Sequence, residues 1–259
     1  LLAATQTPSD ILEAIDVEIG ARGTFAHVDI SDPCVNRALA LAASDERLAV
    51  EAACSLEKIK KMDAYIAIRG ANNIFENSDV PPQNMAKIAA AMKPAVDWRV
   101  NKTKWVVLRW PTPAMAQQAQ MSTEAFEDFY FDVCTMDYDK MNEGMQAVRS
   151  LMESTDKVRI TGPDTDLNFS IKGMPATPCC GEYNIPDGEI YTAPVRDSVE
   201  GYVTYNAPTV YNGISFDSIK LTFEKGKIVD AQAGAKTAAL KKILSSDEGA
   251  SYVGEFAMG

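Results

Sequence analysis

A chain of 259 residues with 46% apolar and 24% charged side chains has the balance of an ordinary folded protein, with room for one large domain or two modest ones. Its net charge of −11 argues against a nucleic-acid groove or a polybasic membrane surface, and no apolar run approaches the roughly 20 residues that span a bilayer. The five cysteines are odd in number and irregular in spacing, which suits a reducing, cytoplasmic setting better than a disulfide framework.

The opening, Leu1-Leu2-Ala3-Ala4-Thr5, reads as the end of a strand. It has neither a basic start nor a long apolar stretch, so it is not a signal peptide, and the N-terminus is expected to be incomplete. Thr7 is placed to cap a helix with Pro8 at its first position and Ile11, Leu12 and Ile15 on its apolar face; Gly20 and Gly23 end it. Thr24 to Ile30 reads as a short strand holding His27, which is expected in the core or bracing a ligand. A single histidine excludes any site that needs two from this chain. A helical stretch from Cys34 to Lys61 is expected to break near Ser44-Asp45. Ala64 to Ile68 is a buried strand closed by Arg69-Gly70, and Asn84 to Trp98 is helical until Pro94 kinks or ends it. Trp105 to Leu108 is a strand stopped by Pro111-Thr112-Pro113. Ser122 caps a helix carrying Phe126, Phe129 and Tyr130, and a further helix covers Lys140 to Glu153.

Near Thr155-Asp156 the pattern changes to short strands: Val158–Thr161, Leu167–Ile171, Val199–Tyr205, Ile219–Phe223 and Ile228–Ala231, with Lys225-Gly226 as a hairpin turn. One helix, Lys236 to Ser245, follows. The expected fold class is α/β: an N-terminal α/β domain over 1–156 with a mainly parallel sheet, then a strand-rich α+β domain over 157–259.

Two glutamates stand in surroundings that do not suit them. Glu189 leaves a Pro186-Asp187-Gly188 turn and enters Ile190-Tyr191; Glu255 lies between Tyr252-Val253 and Phe256-Ala257-Met258. Carboxylates are rarely buried without a cation, so the pair points to metal ions inside the fold. The bland alternatives are a surface position at the start of an edge strand for Glu189 and an ion pair with Arg196 for Glu255. Asp187 reads as a turn residue before it reads as a group orienting a ligand. Cys179-Cys180 reads as a pair of reduced thiols, since no second CxxC or histidine cluster supports ligation.

Five blocks occur in order: Gly162-Pro163-Asp164-Thr165-Asp166-Leu167, Asn184 to Pro194, Asp197-Ser198-Val199-Glu200-Gly201, Asp247-Glu248-Gly249-Ala250 and Gly254-Glu255-Phe256-Ala257. Together they resemble the thermophilic metalloaminopeptidases of the aminopeptidase T and aminopeptidase S type. Tyr65 to Gly70 and Pro111-Thr112-Pro113 extend the likeness more weakly. The resemblance implies a homodimeric exopeptidase that removes N-terminal residues from peptide substrates with free N-termini, using two divalent ions such as zinc, cobalt or manganese. It implies that Glu189 is one metal ligand and that Glu255 is a second, shared between the ions and catalytic in that sense. The family's remaining ligands, two histidines and an aspartate, follow the Gly-Glu-Phe-Ala segment and are not among residues 1–259. The catalytic domain is therefore expected to be incomplete and this shortened chain inactive. Two other readings compete: a mononuclear iron ring-cleaving dioxygenase of the dihydroxypyridine type, which needs a His-His-carboxylate set, and a non-catalytic binding or assembly protein.

Overall fold

Short apolar strands alternating with helices build the first half of the chain as a parallel sheet. The computed structural model describes residues 1–211 and 214–259. Two compact units emerge, one of Leu1–Met136 with Gly181–Asp187 and one of Asp137–Cys180 with Gly188–Gly259. The first unit contains β1 (Leu2–Thr5), α1 (Ser9–Ala21), β2 (Val28–Ser31), α2 (Pro33–Leu41), α3 (Asp45–Lys60), β3 (Ala64–Arg69), α4 (Pro82–Lys102), β4 (Lys104–Arg109), α5 (Pro113–Gln118) and α6 (Thr123–Cys134). The second begins with α7 (Tyr138–Ser154), β5 (Lys157–Gly162), β6 (Thr165–Ser170) and β7 (Thr177–Pro178). The chain then returns to the first unit for β8 (Asn184–Ile185), which completes an all-parallel sheet in the order β2-β1-β3-β4-β8.

Helices cover both faces of that sheet, as parallel strands require. Leu2, Ala4, Ile66, Ile68 and Leu108 alternate onto one face and pack with Ile11, Leu12 and Ile15 of α1. On the opposite face Arg99 of α4 lies over the rings of Tyr65 and Trp105. The expected break between α2 and α3 is present, and the Ser44 hydroxyl there accepts the Arg47 amide. Two local expectations fail, and of a third only one alternative is excluded, that Pro94 ends its helix. Thr7 does not cap α1; its hydroxyl donates to the carbonyls of Thr5 and Ile68 instead, which ties the chain after β1 to β3. Pro94 lies inside α4, which runs on to Lys102. His27 precedes β2 and is exposed rather than in the core. Its Nε2 lies 3.3 Å from an Asp29 oxygen, and that carboxylate also accepts from Lys58 at 2.7 Å.

The second unit continues with β9 (Ile190–Thr192), β10 (Glu200–Tyr205), β11 (Thr209–Tyr211), β12 (Ile214–Phe216), β13 (Ile219–Glu224), β14 (Lys227–Gln232), α8 (Thr237–Ile243) and β15 (Phe256–Met258). Its main sheet is antiparallel in the order β14-β13-β10-β6-β5, and a second sheet has the order β15-β9-β7. Val148 and Met152 of α7 pack against Leu167, Phe169 and Ile171. That packing places α7 in the second unit, although its sequence position suggested the first domain. Likewise Asn184-Ile185, expected in the second domain, is an edge strand of the first unit's sheet. No helix among the described residues is long and apolar enough to cross a membrane.

The turn between β13 and β14 follows its sequence signal. Lys225 and Gly226 both take positive φ, 49° and 83°, the two-residue hairpin geometry whose twist matches the flanking strands. Gly226 also approaches another segment so closely that a Cβ would overlap the Arg196 carbonyl oxygen. Gly226→Ala should therefore lower stability by roughly 2 kcal/mol or more in urea denaturation, from the left-handed backbone and the overlap together.

Candidate functional site

Glu189 and Glu255 belong to the β9–β15 ladder. Each immediately precedes its strand, and the strands are antiparallel, with Thr192 opposite Phe256 and Ile190 opposite Met258. The two glutamates therefore stand at opposite ends of the ladder, where Glu255 falls level with Ala193. At about 3.4 Å per residue the separation along the strands is on the order of 14 Å.

Alternation decides which way they face. Ile190 and Thr192 turn inward and are 2% and 3% exposed. The Thr192 hydroxyl donates to the Pro175 carbonyl at 2.8 Å, which satisfies it in the interior. Phe256 packs on the same inner side, its ring edge-on to Phe169 with centroids 5.1 Å apart. Such a pair adds about 0.5–1.5 kcal/mol beyond the area it buries. Glu189, Tyr191, Glu255 and Ala257 take the other face of the pleat, and all four are exposed. The expectation that both carboxylates are buried is thus corrected: their apolar neighbours in sequence point the opposite way.

The backbone around each glutamate is firmly held. The Cys179 amide donates to the Glu189 carbonyl at 2.8 Å, extending the β7–β9 pairing. Gly188, with φ 143°, gives the chain a turn into β9 that a side chain would strain. The Asp187 carboxylate accepts the Gly181 amide at 2.9 Å, a bond that closes the loop before it. Ahead of Glu255, the Asp247 carboxylate accepts the amides of Gly249 and Ala250, and Tyr252 bridges to Lys227. Arg196 pairs with Glu248 at 3.2 Å and stacks on Tyr252, so it is not the partner of Glu255. The Glu248 hydrogen bond, helped by Tyr252, raises the Arg196 guanidinium above its ordinary value.

Within the motif blocks, most acids serve the fold. Asp164 takes Lys220, Asp166 takes both donors of Arg159, and Glu200 accepts the Lys225 amide. Asp164 and Asp166 are held below the ordinary carboxylate range mainly by those hydrogen bonds. Glu189 and Glu255, together with Asp197, have no such partner among the described residues. The structure adds Tyr191, which shares the outer face between the glutamates; only the strand register, absent from local sequence, could have revealed it. None of the five cysteines is in a disulfide among the described residues, and the Cys180 thiol lies 3.6 Å from the Met145 sulfur.

Comparison with known proteins places the chain in a family. The model of the thermophilic metalloprotease (M29) family matches residues 9–259. The chain belongs to that family. Aminopeptidase 2 of Geobacillus stearothermophilus is 26% identical over 236 residues, which are 79% of this M29 chain and 56% of that protein. Aligned segments cover 18% to 64% of the matching curated aminopeptidases, so this chain spans about half to two thirds of the longest-matching ones. In architecture it is similar to AmpT from Thermus thermophilus, with a TM-score of 0.82 at 22% identity over 99% of this chain and 72% of that one. A 2,5-dihydroxypyridine dioxygenase from Pseudomonas putida KT2440 is more distant, with a TM-score of 0.54 at 12% identity over 100% of this chain and 70% of that one.

Because both glutamates are exposed and have no side-chain partner among the described residues, Glu189→Gln and Glu255→Gln should each change unfolding free energy by no more than about 0.5 kcal/mol. Asp187→Ala, which strips the Gly181 amide of its acceptor, should cost about 1 kcal/mol or more in the same urea titration.

Proposed function

We propose that the protein is a metal-dependent aminopeptidase and that Glu189 and Glu255 are two of its metal ligands. The observation that carries this reading is the sorting of acids in the matched blocks. Asp164, Asp166, Asp187, Glu200, Asp247 and Glu248 are committed to structural bonds. Of the three acids without such a bond among the described residues, Asp197 lies outside the ladder, whereas Glu189 and Glu255 are held by its backbone on one face. Family membership supplies the chemistry that such uncommitted oxygens serve.

The donor set fits the group only in part. Carboxylates suit divalent ions, but no group of three or more histidine, cysteine, aspartate or glutamate side chains is placed to hold an ion among the described residues. A catalytic zinc site takes three protein ligands, so this pair alone leaves an ion weakly bound. In this reading the remaining donors lie outside residues 1–259. When bound, the ions would lower the pKa of a coordinated water and polarise the scissile carbonyl. The chain's own part is to present two acceptor groups at fixed positions, with the inner face of the ladder locked by Ile190, Thr192 and Phe256. Peptides with a free N-terminus are the proposed substrates.

The dioxygenase reading gains only fold similarity.

The test is hydrolysis of aminoacyl chromogenic amides with added zinc, cobalt or manganese. A version extended past Gly259 should turn over, and residues 1–259 alone should show little or none. In the extended version Glu189→Ala and Glu255→Ala should each lower kcat/KM by more than the roughly 10–100-fold that loss of an outer partner costs. Activity that survives both changes sinks the assignment. Oxygen uptake with ferrous iron and an aromatic diol would favour the dioxygenase instead.

A further inference from the structure

The arginines divide as sharply as the acids. Arg22, Arg37, Arg47, Arg149, Arg159 and Arg196 each pair with a carboxylate. The rest, Arg69, Arg99 and Arg109, have no carboxylate partner among the described residues. The chain carries 36 acidic residues against 25 lysines and arginines, so a shortage of anions does not explain this. Chance scatter does not explain it either, because the unpaired arginines lie together on the first unit's sheet and the helix over it.

Arg69 ends β3 and Arg109 ends β4, and the two are opposite each other in the parallel register. They therefore project from the same face, at strand spacing of about 4.8 Å, and both are exposed. Like charges placed directly opposite one another on a sheet destabilise it. On the same face, Arg99 reaches from α4 over the rings of Tyr65 and Trp105, at 5.1 and 4.9 Å. Its Nη1 is buried and makes no hydrogen bond. Burial pushes this guanidinium below its ordinary value, Tyr65 opposes the change, and the like charge of Arg69 adds to it. Three positive groups thus share one sheet face, Arg99 nearer the start of the strands and Arg69 and Arg109 at their carboxyl ends, with no carboxylate paired to any of them among the described residues.

Their place in the sheet matters. In an open parallel sheet, ligands bind outside the carboxyl ends of the strands, where the strand order reverses. Here the order β2-β1-β3-β4-β8 reverses between β1 and β3, and Arg69 stands at the carboxyl end of β3. The backbone beside it is fixed: the Gly70 amide donates to the Thr5 carbonyl at 2.7 Å, and the Asn72 amide donates to the Gln6 side chain at 2.7 Å.

We propose that Arg69 and Arg109 form an oxyanion-binding site, in which their guanidinium forks take a carboxylate or phosphate group and Arg99 adds positive field. Two forks side by side match the paired oxygens of such a group, and a bound anion removes the repulsion between them. The site belongs to the first unit and does not depend on Glu189 or Glu255.

The test uses the full chain in chloride buffer of matched ionic strength, titrated by calorimetry with inorganic phosphate and, separately, with succinate. Saturable heat and a raised thermal midpoint are expected with at least one of them. Phosphate alone would point to a phosphorylated ligand, succinate alone to a carboxylate, and both to a general oxyanion site. Neither binding above matched chloride would overturn the proposal. Arg69→Gln and Arg109→Gln should each weaken binding roughly 10- to 100-fold while leaving the chloride-buffer thermal midpoint unchanged or higher. A lower midpoint with anion binding intact would show the guanidiniums to be structural. Arg69→Lys keeps the charge but loses the fork, and should also bind more weakly. Arg159→Gln, whose guanidinium is committed to Asp166, should bind as the parent does.

Discussion

The two-residue period of one short ladder governs the candidate site. β9 and β15 contribute three residues each, and their inner positions, Ile190, Thr192 and Phe256, are fixed by the core of the second unit. Once these face inward, the pleat leaves Glu189 and Glu255 no choice but the outer face. A slip of either strand by one residue would exchange that strand's faces, burying its carboxylate and exposing Ile190 in one case or Phe256 in the other. The packing of Phe256 on Phe169 and the interior hydrogen bond of Thr192 hold the register against that slip. The apolar core thereby sets the direction in which the acids point.

The same period explains what the sequence shows and what it conceals. Longer segments with their own periodicity were legible: α1 with its Ile11, Leu12 and Ile15 face, the Ser44 break between α2 and α3, strands β3 and β4, and the Lys225-Gly226 turn. Each carries its signal within a few residues. The strands β7, β8, β9 and β15 have two or three residues apiece and exist only because distant partners pair with them. No local window contains that information. The burial expected of Glu189 and Glu255 failed for a related reason. Apolar neighbours at one residue's distance suggest a dry setting in a helix or loop, whereas in a strand they mark the opposite face. The placement of α7 was hidden too, because an amphipathic helix does not record which of two sheets it covers.

What local sequence did convey was the identity of the motif blocks, and the structure separates the work of their residues. Rigidity and availability are divided between neighbours. Asp187 fixes the loop before Glu189, and Asp247 shapes the turn ahead of Glu255. Arg196, the nearest reading of a partner for Glu255, is taken by Glu248 and Tyr252. Acids with structural bonds hold the backbone in place, while Glu189, Asp197 and Glu255 make none among the described residues.

A carboxylate in water costs nothing to leave unpaired, so exposure alone does not distinguish Glu189 or Glu255 from any surface acid. Their distinction is positional: both lie on one face of one ladder, in blocks whose other acids are almost all engaged, within a chain of a metalloprotease family. For Arg69 and Arg109 the argument is stronger, because adjacency of like charges does carry a cost. The chain has acids in excess, and a single carboxylate nearby would relieve that cost. Among the described residues none is paired with either guanidinium, and the direction of the stability change on removing one of them follows from that cost alone.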